Sequence, residues 1–197
     1  MKVGIVTLEG FNEIDSLTVF SMLNRLKGIG LSAHIVSMSK SVTSMNGLKI
    51  ESHDHVKNLN LYDGVVLGSG IHTQMYSKND DFLAQMALAP EQLIASQCSG
   101  VLLLDALKSL PQDNIAATDD ITANKLKESN IIISNTSFHS YGNVATAGGC
   151  LASEYLATWL AGKLLNVGAA RQMLESVVPV GEKSARIKNA LSITGIK

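Results

Sequence analysis

Short apolar runs alternate with amphipathic stretches along the chain. The runs Lys2–Leu8, Leu31–Ser37, Asp63–Leu67 and Leu93–Ala95 predict strands that are buried on both faces. Between the first two runs, apolar side chains recur at intervals of three from Glu13 to Lys27, which predicts an amphipathic helix. Strands that alternate with helices are typical of a parallel sheet covered on both faces. The sequence therefore predicts an α/β fold of the doubly wound class.

Weaker patterns complete this picture. The segments Asn46-Gly47 and Tyr141-Gly142-Asn143 lie between short apolar runs, which predicts hairpins over 41–50 and 138–147. Further helices are predicted at Thr73–Leu88, Val101–Leu110, Cys150–Leu165 and Ala169–Ser176. Because no Pro/Gly/Ser-rich linker interrupts the pattern, residues 1–197 are predicted to form a single domain.

Composition excludes several classes of protein. The 197 residues are 46% apolar and 17% charged, with a formal net charge of -1. No cluster of Lys and Arg is large enough to neutralise several phosphates, so a nucleic-acid partner is not expected. No apolar run approaches the length that crosses a bilayer, and the first ten residues are interpreted as a strand rather than a signal peptide. With two cysteines and no targeting segment, we expect a cytoplasmic protein with free thiols.

The stretch 91–110 carries the strongest chemical signal. An apolar strand ends in the small polar segment SQCSG, residues 96–100, and an apolar helix follows at once. A cysteine on such a turn lies at a helix N-terminus, where the positive end of the helix dipole is expected to lower the pKa of the Cys98 thiol. The spacing resembles a nucleophile elbow, with Ser96 at the position of the first small residue. The alternative is an inert, buried cysteine.

Three turns are predicted at the carboxyl ends of strands, namely Glu9–Asp15, Gly68–His72 and Gln97–Gly100. Ligands bind at this edge of a doubly wound sheet, so neighbouring turns would form one site. Asp15 would then face Cys98 as a protonated acid that donates a hydrogen bond to the thiolate and later returns a proton. The alternative is that Asp15 only stabilises the N-terminus of its helix.

Most of the residues around these turns have more than one interpretation. The N–H groups of Gly70 and Ile71 are candidates for binding a developing negative charge, or they belong to a plain strand-to-helix turn. Ser99 is a candidate for a hydrogen bond to substrate or for a helix cap. His72 either reaches the site, caps the following helix or lies in solvent. Cys150, after two glycines, is interpreted as packed and unreactive.

No cofactor or metal is expected. The sequence lacks GxGxxG and Walker patterns, which disfavours dinucleotide and ATP enzymes. His53 and His55 flank Asp54 in a polar segment, but no second cluster supplies further ligands. We therefore interpret this segment as a solvated loop.

Four segments together resemble the ThiJ/PfpI superfamily: IVTLEGFNEIDSLTVF, YDGVVLGSG, LIASQCSGVLLLDAL and GNVATAGGCLASEYLATWL. They occur in the family's order over nearly the whole chain. The resemblance implies a flavodoxin-like sandwich related to class I glutamine amidotransferases, and a homodimer. Residue by residue, it implies Cys98 as the nucleophile, Asp15 as its acidic partner, and Gly70 with Ile71 as the oxyanion-binding turn.

Details within the motifs point to one branch of that superfamily. Aspartate as the acidic partner, with a small hydroxyl residue after the cysteine, looks like the isonitrile hydratase branch and its relatives fused to AraC-type regulators. The intracellular-protease branch has histidine where this chain has Ser99, and the glyoxalase branch has histidine near the region of Asp119-Asp120, so neither activity is expected. Leu17-Thr18-Val19 and Gly68-Ser69-Gly70 depart from the hydratase pattern, which predicts a different pocket.

The leading hypothesis is a cysteine-dependent enzyme that acts on a small electrophilic substrate. In its hydratase version, the Cys98 thiolate adds to the isonitrile carbon, Asp15 supplies a proton, and water releases an N-substituted formamide. The alternatives are a redox or electrophile sensor and a small-molecule-binding module that use the same Cys98 pocket. The region after Leu165 is too short for the tandem helix-turn-helix domain of the AraC-type regulators, so a direct role on DNA is not expected.

Overall fold

The computed structural model describes residues 1–127 and 129–197. The strands within these residues are β1 Lys2–Val6, β2 Ser32–Ser37, β3 Ser41–Thr43, β4 Lys49–Glu51, β5 Asp54–His55, β6 Gly64–Leu67, β7 Leu93–Gln97, β8 Ile115–Ala116, β9 Ile132–Ile133, β10 Phe138–Tyr141 and β11 Val144–Ala147. The helices are α1 Glu13–Leu23, α2 Thr73–Tyr76, α3 Asp80–Leu83, α4 Val101–Ala106, α5 Asp120–Lys125, α6 Ser153–Leu164, α7 Val167–Glu175 and α8 Lys183–Thr194.

Seven strands form one central sheet in the order β10-β11-β7-β6-β1-β2-β5. All neighbours in it are parallel except the hairpin of β10 and β11, which is antiparallel. The hairpin of β3 and β4 stands apart from the sheet, as its Asn46-Gly47 turn predicts, and β8 and β9 form a small parallel pair. The predicted α/β fold with a mostly parallel sheet is confirmed.

The sheet is covered on both faces because its central strands are apolar on both sides. On one face, Val3 and Ile5 of β1 pack with α1, α6, α7 and α8, and the largest buried side chain there is Trp159. On the other face, Val6 and Leu67 pack with Leu103 and Leu104 of α4. The described residues contain no helix that is long and apolar enough to span a membrane.

Two sequence predictions about helices are wrong in detail. The helix predicted over Thr73–Leu88 is two short helices, because the Asn79 side chain accepts a hydrogen bond from the Phe82 N–H at 3.0 Å and starts a new helix. The helix predicted over Val101–Leu110 ends at Ala106, shortly before Lys108 adopts a φ of 54°.

Candidate functional site

The three predicted turns meet at the carboxyl edge of the central strands. The Asn12 N–H donates to the Ser69 carbonyl at 2.9 Å, which ties the first turn to the second. The Gly70 N–H points at Ser99 Oγ at 3.4 Å, which places the second turn beside the third. Phe11 also forms an isolated β-bridge to Gly70. The three turns are therefore neighbours, as the sequence predicts, and the candidate site lies where they meet.

Cys98 lies where β7 ends and the backbone turns sharply. Its φ is 47°, in the left-handed region of backbone conformation that residues other than glycine rarely adopt. One turn of 3-10 helix, Cys98–Gly100, follows and leads into α4. The Thr118 hydroxyl donates to the Cys98 carbonyl at 2.8 Å and holds the turn from the side. A strained conformation fixed by its surroundings is typical of functional residues.

Gly100 lets this turn pack against the neighbouring strand. A β-carbon on Gly100 would lie 2.2 Å from the carbonyl oxygen of Leu67, at the end of β6. Backbone this close to backbone leaves room only for hydrogen. The small residue predicted after the cysteine therefore has a steric role.

Asp15 is buried in the first turn of α1, with 1% of its surface exposed. The Ser69 hydroxyl donates to Asp15 Oδ2, whereas Oδ1 has no hydrogen-bond partner among the described residues. Burial raises the pKa of the Asp15 carboxyl, and the hydrogen bond from Ser69 opposes this rise only in part. The cap of α1 is Asn12, whose side chain accepts from the Ile14 N–H at 3.0 Å, so Asp15 does not serve as the cap.

Cys150 joins Asp15 and Cys98, which sequence reasoning missed. One donor atom from each of the three side chains lies within 4.8 Å of the other two. The Asn12 amide donates to Cys150 Sγ at 3.2 Å. The Gln97 amide lies 3.4 Å from Cys98 Sγ and donates to the Gly149 carbonyl at 2.9 Å. Cys150 is half-buried rather than enclosed in the core.

The expected lowering of the Cys98 pKa is wrong. Burial raises the pKa of this thiol well above its ordinary range, and the adjacent Asp15 carboxylate raises it further. Burial and Asp15 also raise the pKa of Cys150. The sequence shows a helix start, but it does not show that Cys98 is a residue only 6% exposed, with its sulfur near a carboxylate. Neighbouring groups of this kind share protons and titrate as a unit.

The other predicted site residues lie around this cluster, and they differ in how well their geometry suits a role in binding. A β-carbon on Gly70 would lie 2.4 Å from the Gly10 carbonyl oxygen, so this turn requires glycine. The Ile71 N–H donates to the same Gly10 carbonyl at 3.0 Å, so it is not free to bind an oxyanion here. His72 is exposed, lies against Gly10, and does not cap α2 with its side chain. Ser99 is half-buried next to Gly70.

Two sulfurs and a carboxylate oxygen are also suitable metal ligands, and in this cluster they are close enough to share one ion. The expected absence of a metal therefore stays a prediction. His53 and His55 are used locally instead: each accepts a backbone N–H through Nδ1, from Ile35 at 3.1 Å and from Lys57 at 3.2 Å.

Of the three cluster residues, Cys150 lines a surface groove of about 480 Å³, whereas Cys98 and Asp15 are not part of its lining. Gly148 and Gly149 form one wall, and Arg186, paired with Glu154 at 3.3 Å, stands at its rim. Cys150 is thus the thiol that molecules entering this groove meet first.

Removal of the Asp15 charge is expected to lower the pKa of Cys98. In Asp15→Asn, burial still raises the thiol pKa, but the like-charge contribution disappears, so the pH profile of Cys98 alkylation shifts to lower pH. The measurement is the rate of iodoacetamide labelling against pH, read separately for each cysteine by peptide mass spectrometry. Asp81→Asn, on the exposed first turn of α3, is the control and is expected to leave the profile unchanged. An unshifted profile in Asp15→Asn would show that the two groups are not coupled.

Comparison with known proteins identifies relatives of the fold. The sequence model of the DJ-1/PfpI family matches residues 1–161. No curated protein matches the sequence. A ThiJ/PfpI family protein from Pseudomonas syringae has a similar structure, with a TM-score of 0.76 and 20% identity over 98% of this chain and 87% of that chain.

Two further solved structures agree with this result. A mutant DJ-1 superfamily protein from Salmonella typhimurium has a TM-score of 0.75 and 18% identity, over 89% of this chain and 97% of that chain. Oxidized DJ-1 from Toxoplasma gondii has a TM-score of 0.75 and 16% identity, over 91% of this chain and 98% of that chain. At these identities the similarity establishes the flavodoxin-like fold.

Proposed function

The chain belongs to the DJ-1/PfpI family, and on that premise we propose that it is a cysteine-dependent enzyme that acts on a small electrophilic carbon, with isonitrile hydration as its reaction. One observation carries this proposal. Cys98 stands on a left-handed turn with its sulfur within 4.8 Å of a buried carboxyl oxygen. Covalent addition to carbon requires a nucleophile and, close to it, a group that can accept and return a proton.

The raised pKa values of Asp15 and Cys98 suggest how the two groups exchange a proton during the proposed reaction. In this mechanism the Asp15 carboxyl and the Cys98 thiol together carry one proton at rest, because burial raises both pKa values and disfavours two negative charges side by side. As the Cys98 sulfur adds to the isonitrile carbon, its proton passes to the carboxylate. Asp15 then delivers a proton to the same carbon and a thioimidate forms. The net charge of the pair stays constant, which suits a site shielded from water.

Hydrolysis completes the reaction. Water adds to the thioimidate carbon, the carbon–sulfur bond breaks, and the Cys98 thiol is regenerated as an N-substituted formamide leaves. The Gly70 N–H, which makes only a long contact of 3.4 Å to Ser99 Oγ, supports the proposal as a donor for the substrate's polar atom. The Ile71 N–H would have to leave the Gly10 carbonyl to take part.

The test is the conversion of cyclohexyl isonitrile to its formamide, followed by proton NMR. The wild type is expected to form the product catalytically. Asp15→Asn is expected to reduce the rate about a hundredfold or more, because the proton acceptor and donor is lost. Asp81→Asn, which changes an exposed aspartate in the same way, should match the wild type. Absence of formamide with wild-type protein would overturn the isonitrile assignment.

A sensor of oxidants or electrophiles uses the same residues without turnover. If Cys98 is modified by such reagents and no formamide forms, the sensor hypothesis replaces the enzyme. We propose in either case that the protein acts in the cytoplasm as a homodimer, as its family resemblance implies. Light scattering of the purified chain tests the homodimer.

A further inference from the structure

The proposed reaction leaves one reactive group of the cluster without a role. Both cysteines are free thiols, and the sheet itself brings them together. Strands β7 and β11 are parallel neighbours with Gln97 opposite Ala147. Cys98 comes one residue after this register pair and Cys150 three residues after it, so their sulfurs lie within 4.8 Å although 52 positions separate them.

We propose that Cys150 is the resolving thiol of Cys98, so that a hydroperoxide converts the pair into an intramolecular disulfide. This inference rests on the proposed function, because it takes Cys98 as the nucleophile and adds the reversible oxidation of the same site.

The chemistry balances with the hydroperoxide as the only co-reactant. The Cys98 sulfur attacks the terminal peroxide oxygen, the O–O bond breaks, and the alcohol or water leaves with the proton held between Cys98 and Asp15. The Cys150 sulfur then attacks the Cys98 sulfur of the sulfenic acid, the S–O bond breaks, and a second molecule of water leaves with the Cys150 proton. The two thiols are oxidised by two electrons in total and the peroxide is reduced by two.

The surroundings of the two sulfurs differ in a way that fits these roles. Cys98 is 6% exposed and lies on the strained turn, with the Gln97 amide beside its sulfur. Cys150 opens a single 3-10 turn directly after Gly149, whose φ is 84°, and the next side chain, Leu151, is 81% exposed. Cys98 is therefore the buried thiol of the pair, and Cys150 is the more accessible one that can resolve it.

Polar partners assist each thiol during the exchange. The Asn12 amide donates to Cys150 Sγ at 3.2 Å and the Gln97 amide lies 3.4 Å from Cys98 Sγ, so a negative charge on either sulfur has an N–H donor. Asp15, adjacent to both, is placed to take the proton from the attacking thiol. These hydrogen bonds favour the thiolate, which is the attacking species, and so offset part of the rise in pKa that burial causes at both sulfurs.

The disulfide has a functional consequence. It blocks Cys98 as a nucleophile and shields its sulfur from the irreversible sulfinic and sulfonic acids. Reduction would begin at Cys150, because the groove gives a small thiol access to that sulfur first. Oxidation would thus switch the proposed enzyme off reversibly.

The experiment treats the full-length chain with stoichiometric and then excess hydrogen peroxide, followed by peptide mass spectrometry without reduction. The wild type is expected to give a peptide pair joined through Cys98 and Cys150, lighter by two hydrogen atoms, which dithiothreitol separates. In Cys150→Ser, the link is absent, Cys98 gains two or three oxygen atoms, and dithiothreitol no longer restores its labelling by iodoacetamide. Non-reducing electrophoresis at low protein concentration checks that the link lies within one chain.

Three outcomes would overturn the inference: oxygen addition to wild-type Cys98 while Cys150 still labels freely, a link between chains only, or full recovery of Cys98 in Cys150→Ser. Thermal unfolding of Cys150→Ser, measured first, verifies that the variant is folded, and Cys150→Ala is the second variant if it is not. The result is independent of the isonitrile assay. A link without turnover refutes the hydratase alone, and turnover without a link refutes the resolving role alone.

Discussion

Cys98→Ala is expected to abolish isonitrile turnover, with a loss of about a thousandfold or more and no comparable loss of stability. The reason is that the substitution removes the only atom that bonds to substrate in the proposed reaction, and loss of a covalent nucleophile removes most of the catalysis. Alanine retains the β-carbon, so the left-handed turn at this position keeps the strain that it already has. Formamide formation measured under reducing conditions, beside a thermal unfolding curve, checks both parts.

Cys150→Ala distinguishes the two thiols in the same assay. Cys150 is close to Asp15, but it does not stand on the strained turn after β7. If the Cys150 variant lost turnover and the Cys98 variant kept it, the assignment of the nucleophile would be reversed. If both variants kept it, covalent catalysis by cysteine would be excluded.

Gly100→Ala is expected to destabilise the fold by about 3 kcal/mol or more, because overpacking of well-packed sites has costs of this order. The added β-carbon would meet the Leu67 carbonyl oxygen at 2.2 Å, and neither backbone segment can move without disturbing the sheet. For a chain of this length such a loss lowers the melting temperature by roughly 6 to 12 °C. Differential scanning calorimetry measures it directly.

Gly28→Ala is the matched control for this substitution. Gly28 lies in the 3-10 segment Asn24–Ile29 after α1, and a β-carbon there would meet no atom within 4 Å. We expect an unchanged or slightly higher melting temperature, since alanine reduces the freedom of the unfolded chain. If the two glycine variants unfolded at the same temperature, the close approach at Gly100 would not be an important constraint on the fold.

The sequence predicts the two central residues of the site because each is marked by local pattern. An apolar strand that ends at Cys98 and restarts as a helix is visible over twenty residues, and Asp15 follows the first strand in the same way. The rule that parallel strands share a carboxyl edge then brings the two together without knowledge of distances.

Cys150 could not be placed in the same manner. Its nearness to Cys98 depends on the strand order, in which β11 is added beside β7 with Ala147 opposite Gln97. Alternating strands and helices do not specify that order. The direction of the pKa shift at Cys98 could not be predicted for a related reason. The shift is caused by burial and by the nearby Asp15 carboxylate, and both arise only in the folded protein.

The last helix, α8, was not among the predicted elements, although the sequence contains the pattern of an amphipathic helix there. Ile187, Ala190, Leu191 and Thr194 are buried on one face of α8 at intervals typical of an amphipathic helix. The other positions of α8 are mostly polar, and the exposed Ile193 lies outside the buried face, so the pattern is easily overlooked. The register of the buried positions is the better guide in such a segment.

The strand order also determines when the thiols first meet. The side chains of the cluster and their contacts come from positions between Asn12 and Cys150, and β11 at residues 144–147 is the last strand of the sheet along the chain. Pairings between distant segments form late, because the intervening chain must be ordered first. The ribosome must therefore have synthesised the chain at least as far as Cys150 before the two sulfurs can become neighbours, 52 residues after it has added Cys98.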